Sequence, residues 1–174
     1  MTNSLLDTMF IKRFCLPSNT NIEKYENCEG KITTCVCSHY NHIACVFEGK
    51  KSALDKARIL HFGTNMMGDI DGTTPGIHAE HNALSKLKPL KYKRKLEQIN
   101  ILVIRVSKTN KIQSSKPCNN CIKIMETIPE RKGYKLQNIY YSDDKGNIIK
   151  TSLNILKNEE HHYSRYYRHD KKIA

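Results

Sequence analysis

The chain has 174 residues, 39% of them hydrophobic, which suits one domain with a real core. No apolar run approaches the ~20 residues that span a bilayer, which argues against a membrane partner, and residues 1–16 lack the basic start, apolar stretch and small-residue cleavage site of a secretory signal. A formal net charge of +12 and a pI near 9.4 favour phosphate-bearing partners, although a lysine-rich composition accounts for the charge equally well.

In chain order, residues 4–14 read as a short amphipathic helix and 20–29 as a polar one before Gly30. Residues 32–39 and 42–48 read as two strands joined tightly at Tyr40-Asn41. Residues 57–62 continue the second strand or form another. Four glycines and a proline mark 63–76 as a long loop. Ala83, Leu84 and Leu87 give 77–88 helical spacing, with Pro89 as the stop. The β-branched run 99–106 predicts a buried central strand. Pro117 suits the first turn of a helix running to about Thr127, before Pro129. Residues 136–142 are a further strand. Asp143-Asp144-Lys145-Gly146-Asn147 is a turn signal from which 148–151 can return antiparallel. Strands alternating with helices predict a layered α/β domain with one mixed sheet.

Two motifs carry chemistry. His78-Ala79-Glu80 and Pro117-Cys118-Asn119-Asn120-Cys121 offer one imidazole and two thiolates, three good zinc ligands that leave a fourth tetrahedral position open. Both motifs fall at predicted helix starts, where the partial positive charge favours thiolate. Glu80 is two residues from His78, so on a helix the two side chains diverge by roughly 200°. That offset suits a carboxylate flanking a bound water rather than a fourth ligand. A cysteine-bearing zinc site suits a reducing compartment, so the odd count of seven cysteines reads as free thiols in an intracellular (cytoplasmic or nuclear) protein.

The pair of motifs resembles the cytidine deaminase superfamily, whose zinc enzymes carry H-x-E…P-C-x-x-C, over roughly residues 30–155. The resemblance implies a three-layer domain with a mixed five-stranded sheet flanked by helices, within a single unit spanning 1–174. It implies one zinc on His78, Cys118 and Cys121, with Glu80 shuttling protons. Backbone N–H groups near Ala79 and Cys118 would support the tetrahedral species. Many members hold the substrate with an asparagine before the H-A-E motif, which makes Asn65 the substrate-binding candidate beside Ala79; an ordinary turn asparagine is the alternative. The run His78-Ala79-Glu80-His81-Asn82-Ala83 is most similar to the deoxycytidylate group. The short turn at 143–147 instead predicts the antiparallel last two strands of free-nucleoside enzymes and several bacterial toxin deaminases.

The reaction implied is hydrolytic removal of a nucleobase amine, cytosine before adenine. Nucleoside or nucleotide and single-stranded nucleic acid both stay open as substrate, as does self-association into a homo-oligomer. A silent zinc-stabilised nucleic-acid-binding module is the rival reading, and it leaves Glu80 unexplained. Cys35 and Cys37 share one face of a strand and read as buried inert thiols. His81 reads as lying outside the ligand set, and His161 and His162 as solvated tail. Tyr163-Ser164-Arg165-Tyr166-Tyr167-Arg168-His169, within the basic tail 159–174, interleaves rings and cations; it suits either phosphate and base contact or packing of tyrosines on the sheet edge.

Overall fold

A computed structural model describes residues 24–26, 32–34, 40–49, 58–66, 76–91, 95–107, 109, 111–160 and 163. β1 (Lys24–Glu26) and β2 (Ile32–Thr34) pair antiparallel as a two-stranded ribbon, Tyr25 opposite Thr33. The polar helix expected over 20–29 is therefore corrected at 24–26, where extended backbone gains a ladder partner that the local pattern does not reveal. Of the expected strand 32–39, Ile32–Thr34 is paired as β2, and 35–39, with Cys35 and Cys37, lie outside the described residues. Residues 4–14 lie outside them as well.

The main sheet is mixed and six-stranded. β3 (Tyr40–Glu48) and β4 (Ile59–Thr64) form an antiparallel pair; β5 (Glu97–Ser107), β6 (Ile112–Gln113), β7 (Tyr134–Ser142) and β8 (Ile148–Thr151) complete it. Their order is β4-β3-β5-β7-β8, with β6 paired to the end of β5. Tyr40-Asn41 is the start of β3 and not the tight turn expected, because β5 is long enough to pair it: Tyr40 faces Ser107 and Asn41 faces Val106. The sixth strand is the departure from the five expected. Ser107 N–H donates to the Lys111 carbonyl (2.9 Å), and Lys111 N–H donates to Ser107 Oγ (3.1 Å). That turn folds Ile112 and Gln113 back onto Val106 and Arg105.

β5 and β7 are parallel, joined through a helix, whereas β7 and β8 are antiparallel as the 143–147 turn predicts. Asp143 Oδ1 accepts from the backbone N–H of Lys145 (2.9 Å) and Asn147 (2.7 Å), and Gly146 takes the φ of 84° that the turn needs.

Among the described residues there are three helices, α1 (Ala79–Ser85), α2 (Asn119–Arg131) and α3 (Leu153–Asn158). α1 is shorter than the expected 77–88. It has no basic residue in its last turn. Lys132, beyond α2, supplies that charge, its Nζ donating to the carbonyls of Ser85 (2.5 Å) and Leu87 (2.7 Å). α2 runs past Pro129, which removes only one N–H so near the helix end; Gly133, at φ 87°, follows it. Ala44, Val46, Ile101 and Val103 on one sheet face pack with Ala83, Leu84, Ile122, Met125 and Leu156 from the helices. Each large aliphatic group so buried contributes roughly 1.5–3 kcal/mol. Cys45, Phe47, Leu102, Ile104 and Val106 form a second cluster on the opposite face. Among the described residues no helix is long and apolar enough to cross a membrane.

Candidate functional site

The site lies where α1 and α2 begin. His78 is the N-cap residue of α1 and Cys118 that of α2, both with extended backbone, and Cys121 follows in the first turn of α2. Neither N-cap side chain bonds its own helix, so imidazole and thiol are free to point elsewhere. They point at each other. His78 Nδ1 stands 3.1 Å from Cys121 Sγ and 3.5 Å from Cys118 Sγ.

Local packing fixes this convergence. A Cβ on Gly63 of β4 would sit 2.3 Å from the Ala83 nitrogen and 2.5 Å from the Ala79 carbonyl oxygen, so α1 rests directly on β4. Asn82 of the same motif locks that contact, its side chain donating to the Thr64 carbonyl (3.0 Å). The two ends of the 63–76 segment, read from sequence as an open loop, are paired. Met66 N–H donates to the Ile77 carbonyl (2.8 Å) and Ile77 N–H to the Met66 carbonyl (3.0 Å). Asn65 and His78 are the residues flanking this bridge.

The donor set fits zinc. Zn–S bonds of about 2.3 Å and Zn–N bonds of about 2.0 Å place tetrahedral donors roughly 3.5–3.8 Å apart. Here one ligand atom from each of His78, Cys118 and Cys121 lies within 4.8 Å of the others, and among the described residues no fourth donor joins them. Cys118 is lowered to about 4, first by the hydrogen bond from Cys121, while Cys121 is pushed up by that same bond and by burial. His78 is raised, chiefly by its hydrogen bond with Cys118. A divalent cation would draw both thiols to thiolate.

Glu80 is 3% exposed, and its Oε2 has no hydrogen-bond partner among the described residues. Burial raises its pKa, opposed by its own backbone N–H and by His78. A buried, under-satisfied carboxyl beside a metal-ligand group is suited to holding or releasing a proton. Ala79 is the first residue of α1, where the N–H has no partner inside the helix. His81 is half-buried and is not part of the ligand group.

Asn65 stands next to the site with its side chain engaged. Its Oδ1 accepts from the His42 N–H (2.9 Å), and its own N–H donates to the His42 carbonyl (3.2 Å). Only its amide nitrogen has no partner among the described residues.

Two residues escaped the sequence reading. His42 on β3 is lowered to about 4, first by burial, then by Arg105 and His78, with Cys118 opposing. Arg105 on β5 faces it directly across the ladder. The signal available was phase: His42 alternates in step with Ala44 and Val46, both buried under the helices. His161, His162 and residues 164–174 lie outside the described residues.

No protein-family model matches the chain, and no curated protein matches it. Among solved structures the chain is similar to a cytidine deaminase from Burkholderia pseudomallei, at 16% identity and a TM-score of 0.39. That match covers 67% of this chain and 78% of the other. The mixed sheet flanked by helices and the His-Cys-Cys group are the fold class and donor group expected from the sequence.

Proposed function

We propose that this protein is a zinc-dependent hydrolytic deaminase acting on the exocyclic amine of a nucleobase, with cytosine in a nucleoside or nucleotide as the leading substrate. One observation carries the reading: a three-donor group, His78, Cys118 and Cys121, set beside the buried Glu80, whose Oε2 has no partner among the described residues. A structural zinc site has no use for either an open position or a buried carboxyl.

When bound by these three residues, zinc would acidify a water held at its fourth position. The rest is the work of the chain. Glu80 takes a proton from the water that adds to the ring carbon bearing the amine. It passes that proton to the ring nitrogen, then takes the second from the added hydroxyl and gives it to the amine, which leaves as ammonia as the carbonyl forms. Burial raises its pKa and so favours the protonated carboxyl, the form that can give a proton to the ring nitrogen or the amine. The Ala79 N–H, which has no partner within α1, would support charge on the tetrahedral species.

A single-stranded polynucleotide is the second reading. It is favoured by the net charge of +12 and by the Lys116–Glu159 ion pair (2.8 Å), which ties the root of the basic tail to the segment leading into Cys118.

Glu80→Ala tests the proposal at its centre. We expect it to keep its fold and its zinc while turnover falls at least 10²–10⁴-fold, the contribution typical of a positioned proton shuttle. Turnover at the parent rate would remove Glu80 from the mechanism.

A further inference from the structure

Across three neighbouring strands, one row of the sheet is apolar and the next is polar. Gly63, Ala44 and Val103 are aligned on β4, β3 and β5. α1 lies on that row, with Ala79 and Ala83 against Gly63. The next row facing the same way holds His42 and Arg105, with Asn65 bonded to the His42 backbone at the end of β4. This polar row projects beyond the start of α1, which carries His78, and His42 interacts electrostatically with both His78 and Cys118. His42 thus lies on the polar row of the sheet, close enough to the donor group to feel its charges.

We propose that His42 is a specificity-determining residue of this site, offering its imidazole to a neutral hydrogen-bonding group of the substrate. The inference rests on the deaminase reading and deepens it. Asn65 was the residue expected in this role, yet its Oδ1 already accepts from the His42 backbone, which ties its side chain to β3. His42 brings a ring with one donor and one acceptor, in which Arg105 and burial favour the neutral form. The group it meets is a carbonyl or amide edge of the base, or a hydroxyl of the sugar; both are uncharged and both exchange a single hydrogen bond.

The test uses the full-length, zinc-loaded protein carrying Glu80→Gln, so that ligands bind with little turnover. Cytosine, cytidine and cytidine monophosphate are titrated calorimetrically with and without His42→Phe, and zinc content and melting temperature are matched. Loss of the hydrogen bond should weaken binding roughly 3- to 10-fold, and His42→Gln, which keeps a donor and an acceptor, should recover part of it. Weakening for all three ligands places the contact on the base; weakening confined to cytidine and its monophosphate places it on the sugar. Equal affinity for all three with zinc unchanged overturns the inference while leaving the deaminase reading intact. Failure of the His42-intact protein to bind any of them overturns the inference together with the small-substrate form of the deaminase reading, and the single-strand form is then decided by deamination of DNA and RNA. If His42→Phe does not fold, His42→Val takes its place, since it also lacks a hydrogen-bonding group and suits a strand.

Discussion

Cys118 holds two positions at once, the N-cap of α2 and one corner of the donor group. Its thiol engages the side chains of His78 and Cys121 within the donor group. Its chemistry therefore lies in the ligand group. Purified parent protein should carry near-stoichiometric zinc, and Cys118→Ser should carry far less, since a serine hydroxyl does not ionise to replace a thiolate. Metal analysis decides this, and unchanged zinc in the variant would remove the foundation of the reading. The residues of this group were legible because short motifs state donor type and spacing together. His42 and Arg105 were not: they meet the site through strand register, across 36 and 27 positions of sequence from His78 respectively, and no local pattern records that. The engagement of Asn65 by the His42 backbone was hidden for the same reason.

Elements carry the site by their contacts, and the contact of β4 with α1 is the closest. At Gly63 any side chain meets helix backbone, which cannot rotate away as a flexible side chain would. Gly63→Val should lift α1 from β4, costing about 1–3 kcal/mol or more and displacing His78 and Glu80 together. We expect a lower melting temperature and weaker zinc retention in the same variant. A melting curve matching the parent's would show that α1 does not depend on this seat. The central strands and the last hairpin were readable, because β-branched runs and the Asp-Asp-Lys-Gly-Asn turn specify them locally. The length of α1, the extension of α2 past Pro129 and the brief β6 were not. Lys132, 47 positions from Ser85, settles the end of α1, and β6 depends on a short return onto the edge of β5 that carries no strong turn signal.

For the whole molecule, charge and topology bear on substrate size. Glu159 meets Lys116, two residues before Cys118, and Tyr163 is half-buried, so the described end of the chain returns toward the face where α2 begins. Residues 164–174 add arginines and tyrosines to that end. Deleting 164–174 should raise KM for a nucleoside monophosphate more than for the nucleoside, because only the former presents a phosphate. On a single strand the deletion should weaken binding and flatten its salt dependence, as fewer counterions are released. Equal kinetics on both small substrates with an unaltered salt slope would assign the tail to packing or solvation, with a matched melting curve as the control. The most direct test of the central claim is deamination itself. Zinc-loaded protein is incubated with cytidine, deoxycytidine, their monophosphates, and single-stranded DNA and RNA, and products are read by mass spectrometry. The account predicts replacement of the amine by oxygen in at least one cytosine-bearing substrate, with ammonia released and the conversion lost in Glu80→Ala. Intact cytosine in every substrate, from protein with a full complement of zinc, would contradict it.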